Sequence, residues 1–83
     1  MIKPMKKKKN IIGTRIRKAR VDSNPLVTQT DLVARLQLDG IKDIDQPIIS
    51  RIEKGERLVT DYELKAIAKA LKVPVSWLFK EQE

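Results

Sequence analysis

Between Asp45 and Gly55 the chain has room for one short helix and little else. Asp45 is a good N-cap, because a carboxylate there can accept a first-turn amide. Pro47 has no amide hydrogen and fits only within a helix's first turn. Gly55 is the residue type that most readily ends a helix. A helix over about 46–54 is therefore predicted. On it Ile49, Ile52 and Glu53 share one side, and Gln46, Pro47, Ser50, Arg51 and Lys54 share the other. A helix divided in this way buries its isoleucines and turns amide and cationic donors outward.

Similar punctuation divides the rest of the chain. Asn10 can cap a helix over about 11–22, in which Ile12, Ile16 and Ala19 recur at i, i+4, i+7 and Arg15, Arg17, Lys18 and Arg20 occupy the other faces. Ser23-Asn24-Pro25 ends it, since the residue before proline avoids the helical region. Thr28 and Asp31 fit a capping pattern. The helix they open carries Leu32, Val33 and Leu36 on its apolar face and frays near Leu38-Asp39-Gly40. Residues 40–44 form a connector that Ile41 and Ile44 are expected to pin to the core. Thr60-Asp61 caps a fourth helix with an apolar stripe of Leu64, Ile67, Ala68 and Leu71. Val73-Pro74 breaks it, and a short fifth helix covers Pro74 to Phe79. Strand-like alternation is absent, and 83 residues suffice for a single core. The expected fold is all-α, a compact five-helix bundle over residues 11–80, preceded by a flexible basic arm at 1–10 and followed by a tail at 81–83.

The net charge of +7 is unevenly placed. Lys3, Lys6, Lys7, Lys8 and Lys9 all fall in the first ten residues, which contain no acid, so the arm holds most of the excess. A basic arm on a nearly neutral body suits a polyanion, nucleic acid before anionic membrane; the plainer alternative is a solubilising tail. With no Cys and no His, disulfides, thiolate or imidazole metal sites and the usual nucleophile–base pairs are excluded. No enzyme, metal, cofactor or small-molecule ligand is expected. The lysine run lacks the apolar stretch of a secretory signal, and no segment could span a bilayer. A cytoplasmic, nucleoid-associated location follows as the expectation.

The stretches IGTRIRKAR (12–20), VTQTDLVARL (27–36), IISRIEKGER (48–57) and DYELKAIAKALKVPVSWLF (61–79), in this order and spacing, resemble the phage repressor and Cro type of helix-turn-helix protein. The resemblance implies a lambda-repressor-like bundle in which the second helix crosses the DNA backbone and the third reads base edges from its N-terminal half. By position, Gln46 and Pro47 would face bases first, with Ser50 and Arg51 one turn later. Gln29 and Lys54 match phosphate-contacting places, and Arg20 and Glu53 match an ion pair joining the first and third helices. Some phage repressors wrap a basic arm around the duplex, which would give Lys6, Lys7, Lys8 and Lys9 to phosphates. There are three departures. The link from Leu36 to Asp45 is about six residues longer than the family's tight turn. Pro47 replaces a hydrogen-bonding reader, and Glu56 stands where a basic residue is common.

Gln46 has the groups to pair with adenine N6 and N7, and Arg51 with guanine O6 and N7. Arg51 could equally hold a phosphate, and Ser50 could act through a bridging water. Val75, Trp77 and Phe79 lie on a helix too short to bury them all and are candidates for a dimer patch. One such domain reads only a few base pairs, so a homodimer on a near-palindromic duplex is expected. The function expected is therefore a sequence-specific transcriptional regulator, more a repressor than an activator, of bacterial, phage or mobile-element origin. The alternative is a helix-turn-helix module, antitoxin-like or an adaptor, that binds a protein through its fourth and fifth helices.

Overall fold

The computed structural model describes residues 8–80, and the lysines at positions 3, 6 and 7 lie outside them. Five helices follow one another: α1 (Gly13–Asp22), α2 (Gln29–Leu38), α3 (Gln46–Glu53), α4 (Asp61–Leu71) and α5 (Val75–Leu78). No strand occurs among the described residues, and no helix there is long and apolar enough to cross a membrane.

Three helices begin where a side chain can satisfy their first amides. Thr28 accepts from the Asp31 amide while Asp31 accepts from the Thr28 amide, and Thr60 and Glu63 make the same reciprocal pair. Asp45 accepts from the Ile48 amide at 3.0 Å, with Pro47 in the first turn as its missing N–H requires. Helix α1 differs from its expected span. It starts at Gly13 rather than residue 11, because the Asn10 carboxamide oxygen accepts from the Ile12 and Gly13 amides and holds the intervening chain outside the helix.

Helix α2 packs on α3 and α4, and α1 lies across α3, α4 and α5. Between them Ile16, Leu32, Leu36, Ile44, Ile49, Ile52, Ile67 and Leu78 are almost wholly removed from water. Ile44 pins the connector from below and Ile41 lies half-buried against the same core, so the link between α2 and α3 is anchored at both ends of its span. Arg15 departs from its expected place on an outer face of α1. Its guanidinium lies 3.6 Å from the centre of the Trp77 ring and its Nε donates to the Trp77 carbonyl at 3.1 Å. The aromatic face and the carbonyl together replace water around the cation, which lets α1 carry it inside.

The first residue of α1 touches the last turn of α3. A side-chain carbon added at Gly13 would run into the carbonyl oxygens of Ile52 and Glu53, whereas one added at Gly40 would meet nothing. Gly40 is instead required by its φ of +89°. Gly13→Ala is expected to cost about 2–3 kcal/mol by urea denaturation, because the obstacle is backbone. Gly40→Ala should cost about 1–2 kcal/mol through backbone strain alone.

Glu63 links its capping role to a second bond, an ion pair with Arg57 at 3.1 Å. Burial by itself would push its carboxyl up. The bonds from Arg57 and Thr60 outweigh that and hold it below the ordinary value of 4.5. A lowered folded-state value stabilises at pH above 4.5 and ceases to do so as the pH falls through the folded value. Stability curves of wild type and Glu63→Gln should therefore lie furthest apart above pH 4.5 and converge below it, as measured by denaturant titrations across the acid range.

Candidate nucleic-acid interface

Helix α3 buries Ile49, Ile52 and Glu53 and leaves Gln46, Pro47, Arg51 and Lys54 exposed, with Ser50 half-buried at the boundary. The connector before it does not cover this face, since Gln46 and Arg51 both stand open to solvent.

Glu53 is the acid on the inward side. It receives both arms of the Arg20 guanidinium, Nε on Oε2 at 2.8 Å and Nη2 on Oε1 at 2.9 Å. Arg20 also donates to the Val27 carbonyl at 3.1 Å. Arg20 is 8% exposed and Glu53 6%, so this is a desolvated bidentate pair joining α1 to α3. The bond from Glu53 raises the Arg20 guanidinium further above its ordinary value in spite of burial.

The pair extends to the surface through two amides. Gln29 Nε2 donates to Glu53 Oε1 at 3.1 Å, and Gln46 Nε2 donates to Gln29 Oε1 at 2.7 Å. A carboxylate only accepts, so Gln29 must turn its NH2 toward Glu53 and its oxygen toward Gln46. Gln46 must then turn its own NH2 toward Gln29, leaving its oxygen and second amide hydrogen for another partner. The negative charge in the interior thus sets which way an exposed carboxamide faces. Gln29, expected at a phosphate, is held in this relay. That link could have been suspected from the two glutamines, each the first residue of its helix after a capping residue.

The other expected site residues are dispersed. Lys54 is exposed at the end of α3, and Lys8 and Lys9 are exposed beside the turn that follows it. Lys6 and Lys7 lie outside the described residues. At the opposite end of the chain Val75 is 37% and Phe79 47% exposed, while Trp77 is half-buried over Arg15. Periodicity gave no sign of two polar contacts that brace this region: Arg15 on Trp77, and Asn10 on α3.

Residues 27–78, from just before α2 through the end of α5, match the helix-turn-helix family. The chain belongs to that family, and to its Cro and C1 repressor type. No curated protein and no solved structure is significantly similar to it. Membership makes this helix-turn-helix protein a DNA-binding regulator of transcription in class.

Removing the carboxylate charge at position 53 would leave Arg20 buried beside a neutral amide. Glu53→Gln is expected to lose about 3 kcal/mol in chemical denaturation, as for a buried pair deprived of one partner, whereas an exposed pair would lose under about 1 kcal/mol.

Proposed function

We propose that the protein is a sequence-specific regulator that lays α3 in the major groove and represses transcription by occupying its site. The observation that carries this reading is the Arg20–Glu53–Gln29–Gln46 relay, which orients an exposed carboxamide at the start of α3. An amide fixed in this sense offers an acceptor and a donor side by side, the complement of adenine N6 and N7. Arg51, exposed near the end of α3, reads guanine or holds an adjacent phosphate, and Ser50 bridges through water. Pro47 faces the bases without a hydrogen bond to give, so direct discrimination falls on Gln46 and Arg51.

Lys54, Gln29 and the lysines at 6–9 supply phosphate contacts, which position the protein without carrying sequence information. Two copies pair through Val75, Trp77 and Phe79 and engage a near-palindrome, because one α3 spans too few base pairs to be selective. The exposed apolar surface of Val75 and Phe79 supports that pairing. The setting we infer is a bacterial, phage or mobile-element regulator acting in the cytoplasm on the nucleoid.

Selection of bound duplexes from a random pool at ~150 mM salt, where loose phosphate binding fades, tests the reading. Wild type should return a defined motif, and Gln46→Ala should return the same motif with one position relaxed by about 1–3 kcal/mol of discrimination while non-specific binding persists. Identical motifs from the two proteins would exclude Gln46 as a base reader. The absence of any enriched motif for wild type would exclude sequence-specific recognition altogether.

A further inference from the structure

The residues just ahead of α1 are bound to the far end of α3. Asn10 Nδ2 donates to the Ile52 carbonyl at 3.1 Å and to the Arg57 carbonyl at 2.8 Å. Its Oδ1 accepts from the Gly13 amide at 2.8 Å and the Ile12 amide at 3.1 Å. A carboxamide has two donor hydrogens and two acceptor lone pairs, and here each has a partner. Holding the Ile12 and Gly13 amides needs only the oxygen. The amino half is committed to the last turn of α3 and to the chain leaving it, 42 and 47 residues further on.

The chain before Asn10 continues along the same end of α3. The Lys9 amide donates to the Gly55 carbonyl at 2.8 Å. The Lys8 stem lies over Gly55, where an added Cβ would stand 2.9 Å from Lys8 Cδ. Carbonyls at a helix C-terminus have no partner within the helix and carry partial negative charge. Here the amino half of Asn10 adds a second donor to the Ile52 carbonyl, which the Gly55 amide already meets, the Lys9 amide meets the Gly55 carbonyl just past the helix, and Lys8 and Lys9 are exposed there.

We propose that Asn10 is a positioning residue: it fixes the tilt of α3 and makes the basic chain leave the domain at the C-terminal end of that helix. Lys8 and Lys9, just ahead of it, then meet DNA at one set place relative to the bases under α3. This role rests on α3 lying on DNA as proposed above. A freely tethered arm would contribute charge wherever phosphates are nearest. An arm launched from α3 contributes it in register with the site.

Asn10→Asp keeps the oxygen that holds the Ile12 and Gly13 amides and removes both donors. In the free full-length protein, Lys9 amide exchange measured by NMR should accelerate about tenfold in Asn10→Asp, while the Ile12 and Gly13 amides keep their protection. Equal Lys9 rates in the two proteins would overturn the proposal, whatever either does on DNA. The chain has no cysteine, so Lys3→Cys provides a single attachment for iron–EDTA. Cleavage of a selected duplex should cluster at fixed nucleotides for the otherwise wild-type protein and disperse for Asn10→Asp, with both folded by circular dichroism at the assay temperature. A purely structural role would lower the melting temperature and leave the cleavage positions where they were, and that result also overturns the proposal. Should Asn10→Asp fail to fold, Lys9→Pro removes the amide bonded to Gly55, along with one lysine charge, and must give the same dispersal where Lys9→Ala, which keeps the amide, does not. Failure of the parent protein to bind any duplex selectively would remove the DNA reading, but the exchange result would still decide whether Asn10 ties the chain to α3.

Discussion

The Glu53 carboxylate is the group on which the rest of the molecule turns. It sits among isoleucines on the inward side of α3 and is tolerated there because Arg20 meets it with two parallel bonds. A charge buried without such a partner would cost several kcal/mol. The consequence reaches beyond holding α1 against α3. An ion pair has direction, and α3 can be rotated about its axis only by breaking it. An apolar contact of the same size would tolerate small rotations, since dispersion is indifferent to angle. The buried pair therefore defines which residues of α3 face outward, and Gln46, Arg51 and Lys54 are those residues.

Glu53 has a second effect, on the orientation of groups rather than of helices. A carboxamide on an open surface can flip and exchange its donor and acceptor at little cost. The relay through Gln29 removes that freedom from Gln46, because each member has one arrangement that satisfies its neighbour. An ordered donor–acceptor pair loses less entropy on meeting a base edge than a freely rotating one. Interior electrostatics and the orientation of an exposed amide are thus one network, and a change to Arg20 reaches the face of α3 without touching it.

Most of the architecture was legible because it is written locally. Thr28 with Asp31, Thr60 with Asp61, and Asp45 with Pro47 each mark a helix start within four residues, and the apolar periods give the inward faces. The inward place of Glu53 followed from the same wheel that put Ile49 and Ile52 inside. Contacts between polar groups far apart in the chain were hidden. Arg15 reads as a surface cation until Trp77 supplies both a ring and a carbonyl. Asn10 reads as a simple cap until α3 and the following turn offer carbonyls to its amino group. Helical period carries no information about either, because it describes one element against an unspecified core. Of the expected DNA-facing residues, those on α3 could be placed by periodicity. The role of Gln29 as an intermediate between interior and surface could not.

The long connector between α2 and α3 would seem to threaten this arrangement, since a tight turn is what normally fixes the angle of such helices. Here the angle is constrained elsewhere. Ile44 is buried just before Asp45 caps α3, and the Ile41 amide donates to the Leu36 carbonyl at 2.9 Å, so the loop is held at both ends and only the exposed residues 42 and 43 lie between them. The start of α3 is tied to α2 through Gln29 and Gln46, and its last turn is tied twice, to α1 through Arg20 and Glu53 and to the chain ahead of α1 through Asn10 on the Ile52 carbonyl. Three attachments along one short helix specify its axis and its rotation without help from the turn. Loop closure costs grow slowly with length, so a longer connector is inexpensive once the helices it joins are held by their own contacts. That division explains how a departure at the centre of the motif leaves both of its helices in place.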